Sequence, residues 1–257
     1  MDKIIKSFLY IILFSTSAVF GQDYEKDYTT AVLWQQHAGE YRALCFQAYN
    51  YARLSLNEAL EKRSEKPRCI VVDIDETLLD NAPQSAYAIL SKKGFDLAEW
   101  KRWTSLAKAD TVPGACSFLK YVASKKVQVF YVSNRDQSEK PATIENLKKF
   151  GFPDVDETHL LFRDSTSNKQ ARRDLIAQTH QIMLLIGDNL SDFSTVFYQE
   201  KDHVKATVER MAHLFGTLYI ILPNPMYGDW EQALYRKDKR LTEEEKASLR
   251  EQQLISF

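Results

Sequence analysis

The sequence predicts an α/β fold: a doubly wound parallel sheet with a small added α-helical domain. Three observations predict it. Short apolar runs near 69–72, 127–132, 159–162, 181–186 and 218–222 alternate with segments of helical periodicity. The runs are too short for helices and lack a regular polar face, so they read as buried parallel strands joined by right-handed crossovers. Two further helical segments, about 28–64 and 82–110, fall outside that alternation and supply the added domain.

The first of these helices covers 30–63, where Trp34, Leu44, Ala48, Tyr51 and Leu54 recur near helical spacing with charges between them. Ser64-Glu65-Lys66-Pro67 ends it and leads into strand one. Residues 81–109 are helical, with Pro83 near one start, Gly94 as a break and Asp96 as an N-cap. Pro113-Gly114 opens a helix through Lys125, strand two follows, and a helix over 138–150 closes at Gly151. Strand three precedes a helix over 169–179, and strand four ends in Gly187-Asp188. A helix over 205–215 leads to strand five, which Pro223 stops, and a charged amphipathic helix begins at Thr242. The α/β core therefore comprises about 67–81 and 111–240 of one domain spanning 22–257.

A length of 257 residues suits one α/β domain with helical additions. The net charge of −1 offers no electrostatic footprint for a nucleic acid polymer or an anionic membrane. Any anionic ligand must then be held by a local site. Lys3 and Lys6, an apolar stretch over 8–14 and small residues over 15–21 form the layout of a secretory signal peptide over 1–21. Its apolar part is too short to span a bilayer. Cleavage is expected after Gly21, with Ala18 the alternative, and no cysteine lies nearby to carry a lipid. The expectation is an exported protein, periplasmic or secreted, with no stable membrane insertion. Cys45, Cys69 and Cys116 are odd in number and lack C-x-x-C spacing, which fits neither a zinc site nor a disulfide framework. One bond among them stays open, and Cys69 reads as core.

The run Ile-Val-Val-Asp-Ile-Asp-Glu-Thr over 70–77 places Asp73 and Asp75 at the carboxyl end of strand one, where open α/β sheets bind ligands. Two acids there are costly to bury unless a cation compensates them. In that setting Asp73 is a candidate carboxylate nucleophile for phosphorus, and Asp75 a candidate general acid and base. The bland alternative is a polar turn with Thr77 capping a helix. Strand two ends in Ser133-Asn134-Arg135, whose hydroxyl and neighbouring N–H groups can hold phosphate oxygens or cap the next helix. Lys169 at a helix start opposes the macrodipole preference, which suggests a role in neutralising phosphate. Arg172 and Arg173 are expected as surface or ion-paired residues. Strand four ends in Gly187-Asp188-Asn189-Leu190-Ser191-Asp192-Phe193. If strands one and four are neighbours, Asp188 sits beside Asp73. With the Asp75 carbonyl and waters, these carboxylates form an all-oxygen site that suits magnesium. Asp192 would bond a metal-bound water or brace Lys169.

The order Asp-x-Asp-x-Thr, then serine, lysine and Gly-Asp-x-x-x-Asp, each after a strand, resembles the haloacid dehalogenase superfamily. The strings Val-Val-Asp-Ile-Asp-Glu-Thr-Leu-Leu-Asp-Asn and Gly-Asp-Asn-Leu-Ser-Asp-Phe resemble its class C acid phosphatases, which include bacterial lipoprotein 5′-nucleotidases. Val112-Pro113-Gly114-Ala115 and Leu222-Pro223-Asn224 extend the likeness along most of the chain.

The resemblance implies a magnesium-dependent hydrolase of phosphomonoesters, nucleoside 5′-monophosphates foremost, working through an aspartyl-phosphate. It implies Asp73 as nucleophile and metal ligand, Asp75 as acid/base and carbonyl ligand, and Asp188 as the remaining ligand. Ser133, Asn134 and Lys169 would surround the phosphate. Trp100 and Tyr227 would stack on a nucleobase, with core packing the alternative for each ring. Two departures stand out: Gln84 replaces a family tyrosine, and the lipid-bearing cysteine is absent. Rival readings are a non-catalytic binding or storage protein on the same scaffold, and a phosphatase for sugar or other small phosphomonoesters. A homodimer stays open.

Overall fold

The computed structural model describes residues 22–92, 94–199, 203–235 and 241–257; the expected signal peptide lies outside them. In chain order the strands are β1 (Arg68–Val72), β2 (Leu79–Asp80), β3 (Asp110–Thr111), β4 (Gln128–Asp136), β5 (Leu160–Arg163), β6 (Gln181–Gly187) and β7 (Tyr219–Ile221). The helices are α1 (Gln22–His37), α2 (Gly39–Glu61), α3 (Ala82–Leu90), α4 (Leu97–Ser105), α5 (Ala115–Ser124), α6 (Lys140–Lys149), α7 (Gln170–Thr179), α8 (Thr195–Gln199), α9 (Val204–Arg210), α10 (Asp229–Gln232) and α11 (Glu243–Gln252).

Five strands form one parallel sheet in the order β5-β4-β1-β6-β7. The first strand is central, and the chain winds outward from it to both sides. The crevice at the carboxyl ends of β4, β1 and β6 is therefore the topological switch point. Alternation along β1 divides the core. Ile70 and Val72 face a cluster with Val129, Leu184 and Ile186 that α2, α5 and α6 cover. Cys69 and Val71 face a second cluster with Phe130 and Leu185, covered by α7, α8 and α9. A strand buried on both faces must be apolar at every position, as this one is.

Two local features depart from the sequence reading. The helix expected over 30–63 is two helices, because Ala38 takes an extended conformation (φ −72°, ψ 129°) between them. The antiparallel pair of β2 and β3, too short to carry a periodicity, brackets α3 and α4. Asp96 caps α4 as expected, its side chain accepting from Glu99 N at 2.9 Å. The capping box at Thr242 likewise starts α11. The long helix α2 lies against the sheet, whereas α1 packs on α3, where Val32, Ala82 and Met226 share a small core. No described helix is long and apolar enough to cross a membrane.

Candidate active site

Asp73 follows β1 directly, and its backbone N–H continues the sheet by donating to Ile186 O at 2.9 Å. That bond ties the ends of β1 and β6 together and brings Asp188 alongside. Ligand oxygens of Asp73, Asp188 and Asp192 lie within 4.8 Å of one another. Gly187 makes this possible. A Cβ there would lie 2.3 Å from Asp192 Oδ2, so a side chain would expel the Asp192 carboxylate. Asp192 is further held as Asn189 N donates to its Oδ2 at 3.0 Å.

Lys169, buried at the start of α7, donates its ammonium to Asp73 and lies 2.6 Å from Asp192. The alternative raised for Asp192, bracing Lys169, is thus present. The one ammonium thus pairs with two of the three carboxylates, Asp73 and Asp192. Burial raises Asp73 to about 7 against the pull of Lys169, with Asp192 and Asp75 adding to the rise. Burial, then Asp192 and Asp73, push Asp188 well above the carboxylate range. Its Oδ2 accepts from Asn224 Nδ2 at 2.8 Å and Asn189 Nδ2 at 3.3 Å, neutral donors that do not cancel the charge. An all-oxygen, electron-rich cluster of this kind fits a hard divalent cation.

Ser133 is fully buried at the end of β4, its Oγ accepting from Arg135 N at 3.1 Å. Arg172 braces this strand end by donating to Ser133 O at 2.6 Å and Asn134 Oδ1 at 2.7 Å. The expectation that Arg172 and Arg173 are surface or ion-paired residues is corrected for Arg173; Arg172 is part-exposed. Arg173 is buried and donates to the Asp192 carbonyl at 2.6 Å, and the acceptors of both guanidinium groups are uncharged oxygens. Both hold segments that carry the site. Their α7 positions, one turn beyond Lys169, were the only hint in the sequence.

Asp75 is not part of the three-carboxylate group but lies near enough to add to the rise of Asp73. It accepts from Asn81 Nδ2 at 2.8 Å and from Arg135 Nη2 at 2.7 Å. Next to it, Glu76 has φ +54° and is fully buried, and burial raises its carboxyl well above the usual range. It accepts from Asn81 N at 2.6 Å and so pins the turn after β1. Tyr49 on α2 holds the same turn, donating to Thr77 O at 2.5 Å.

Trp100 on α4 is half-buried; its N–H donates to Glu139 Oε1 at 2.9 Å and its ring lies 6.4 Å from Phe95. Tyr227 packs against the α1–α3 core, and the backbone beneath it is fixed through Asn224 Oδ1, which accepts from Met226 N at 2.9 Å. Gln84, which stands where the family has a tyrosine, is buried, and its Nε2 has no partner among the described residues. Cys45, Cys69 and Cys116 are free. The sequence reading quoted Asn81, Asn224 and Arg135 within its motifs without giving them a role, and missed Glu139.

A family model described as HAD superfamily, subfamily IIIB (acid phosphatase) matches residues 12–230. The class C acid phosphatase from Bacillus anthracis is 42% identical, with a TM-score of 0.87 over 91% of this chain and 99% of that one. The same enzyme with tungstate bound matches equally, at 42% identity and a TM-score of 0.87 over 91% of this chain and 98% of that one. Acid phosphatase 1 of Solanum lycopersicum is 26% identical over 165 residues, 61% of this chain, and the match spans 57% of that protein. The stem 31 kDa glycoprotein of Glycine max is 24% identical over 208 residues, 79% of this chain and 72% of that protein.

Proposed function

The chain belongs to the acid phosphatases of HAD superfamily subfamily IIIB, and we propose that it hydrolyses nucleoside 5′-monophosphates through an aspartyl-phosphate on Asp73. The observation that carries this reading is the buried Lys169 ammonium between Asp73 and Asp192, with Asp188 beside them. A carboxylate attacks a phosphate dianion only where positive charge offsets both anions. Asp73, Asp188 and the Asp75 carbonyl would hold magnesium, which when bound supplies that charge at the phosphoryl oxygens.

The chain's own residues then act as follows. Ser133 and Asn134, braced by Arg172, hold non-transferring oxygens, and Lys169 takes up charge as it builds there. The Asp73 oxygen forms a bond to phosphorus as the ester P–O bond breaks, and Asp75 gives its proton to the departing oxygen. Asp75 next takes a proton from water, which attacks the aspartyl-phosphate and frees inorganic phosphate. The Bacillus anthracis enzyme binds tungstate, an oxyanion of phosphate shape, which is in keeping with an anion-binding role for this chain.

Trp100 and Tyr227 are proposed to flank the base of the substrate. The test is turnover of AMP, nicotinamide mononucleotide and glucose 6-phosphate, with magnesium and with EDTA. Preference for the nucleotides, lost in Trp100→Ala, supports the reading; equal turnover of the sugar phosphate refutes the nucleotide preference. Export is proposed from the N-terminal pattern, and sequencing the mature amino terminus tests cleavage after Gly21.

A further inference from the structure

The Asp75 carboxylate is held unequally by residues to which the mechanism above gives no part. Arg135, 3% exposed at the end of β4, donates Nη2 to Oδ1 at 2.7 Å and Nε to Oδ1 and Oδ2 at 3.1 and 3.2 Å. Its remaining arm, Nη1, donates to the buried Thr143 Oγ1 at 2.9 Å, so the guanidinium is fixed at both ends. From the other side Asn81, fully buried, donates Nδ2 to Oδ1 at 2.8 Å. Oδ1 thus receives three donors, while Oδ2 meets only the shared Nε among the described residues.

Both holders are themselves fixed by tryptophans of α4. Trp103 donates its N–H to Asn81 Oδ1 at 2.8 Å, which orients the amide with Nδ2 toward Asp75. The Trp100 ring lies 5.8 Å from the Arg135 guanidinium, and its N–H is anchored on Glu139. A planar, buried fork of this kind sets direction as well as charge.

We propose that Arg135 and Asn81 are positioning residues that saturate Asp75 Oδ1 and leave Oδ2 as the oxygen that carries the proton to the leaving group. The proposal rests on the reading of Asp75 as leaving-group acid. In that step the Oδ2–H bond breaks, its proton joins the ester oxygen, and the P–O electron pair leaves with that oxygen. The Asp73–phosphorus bond forms in its place. An alkyl leaving group needs the proton; p-nitrophenolate departs without it.

The experiment compares kcat/KM for glycerol 2-phosphate and p-nitrophenyl phosphate, with magnesium, in wild type, Arg135→Leu, Arg135→Lys, Trp103→Phe and Asp75→Asn. Arg135→Leu is expected to lose about 10²-fold or more on the alkyl ester and less than about tenfold on the aryl ester. Inhibition by tungstate should stay unchanged, because ground-state anion binding does not use Asp75. Arg135→Lys should recover part of the loss, and Trp103→Phe, which deletes one N–H, should show the same selectivity at smaller size. If Arg135→Leu does not fold, the Trp103→Phe comparison decides. Equal losses on both esters in the Arg135 and Trp103 variants, with Asp75→Asn still selective, overturn the proposal alone. An Asp75→Asn that is not selective overturns the acid assignment beneath it.

Discussion

Lys169 and Asp192 lie 2.6 Å apart at the ends of a helix and a loop that meet only in the folded chain, and the same ammonium reaches Asp73. Removing it leaves buried carboxylates facing one another. Lys169→Met is expected to lower kcat/KM about 10²–10³-fold. It should also destabilise the metal-free protein by about 3–5 kcal/mol, the usual cost of breaking a buried pair. Scanning calorimetry with and without magnesium checks this. Magnesium should restore part of the loss, because a cation bound at Asp73 replaces some of the missing charge.

Asp73→Asn separates chemistry from stability. The amide has the shape of the carboxylate but no nucleophilic oxygen anion, so turnover should fall about 10⁴-fold or more. Burial holds the Asp73 carboxyl up at about 7, so its charged form is a burden on the empty fold near neutrality. The variant's melting temperature at pH 8 without metal should therefore equal or exceed the wild type's. A lower melting temperature with turnover intact would contradict both halves.

Most of what makes the fold was visible in the chain because it is local. An uninterrupted apolar run at 69–72 can only be a strand buried on both faces, and Gly187-Asp188 could be placed beside Asp73 once those two strands were neighbours. The seat of Asp75 was not visible. Arg135 is 60 residues from its partner, and nothing in Ser-Asn-Arg says whether the guanidinium turns inward. Arg173 misled for a related reason: one of its arms reaches backbone carbonyls, which every residue has and no sequence pattern marks, and the other the neutral amide of Gln170. The break at Ala38 escaped because alanine favours helix; only its extended backbone separates α1 from α2.

The carboxylate cluster sets a pH dependence of stability whose sign is opposite to the common one. Asp73 is raised to about 7, and Asp188 and Glu76 are raised well above their ordinary values, burial being the first cause in each. Groups raised in the folded state favour it fully below their unfolded values, about 4. That contribution is lost as pH rises through the folded value, about 7 for Asp73. The metal-free protein should thus melt lower at pH 8 than at pH 5. Added magnesium should raise the melting temperature more at pH 8, where Asp73, held at about 7, is charged. Thermal scans at the two pH values, with EDTA and with magnesium, measure both differences. An EDTA-treated protein that gains stability from pH 5 to 8 would contradict the burial argument.

The turn after β1 is also held from the helix α2, and that support can be tested by coupling. Tyr49, buried, donates to Thr77 O at 2.5 Å, and its ring rests on Gly114. Gly114 has φ +93°, and a Cβ there would lie 2.9 Å from Tyr49 Cδ2. Tyr49→Phe strands the Thr77 carbonyl and should cost about 1–3 kcal/mol. Gly114→Ala adds backbone strain of about 1–3 kcal/mol and forces the Tyr49 ring aside. If the alanine acts partly by displacing that ring, the hydrogen bond is already weakened when Tyr49 is changed. The double variant should then cost less than the sum of the singles, by about 0.5 kcal/mol or more, as measured by urea unfolding. Strict additivity would mean that Gly114 and the Thr77 turn are independent. In that case the Gly114→Ala loss would reflect backbone strain alone, and turnover by Gly114→Ala should match wild type.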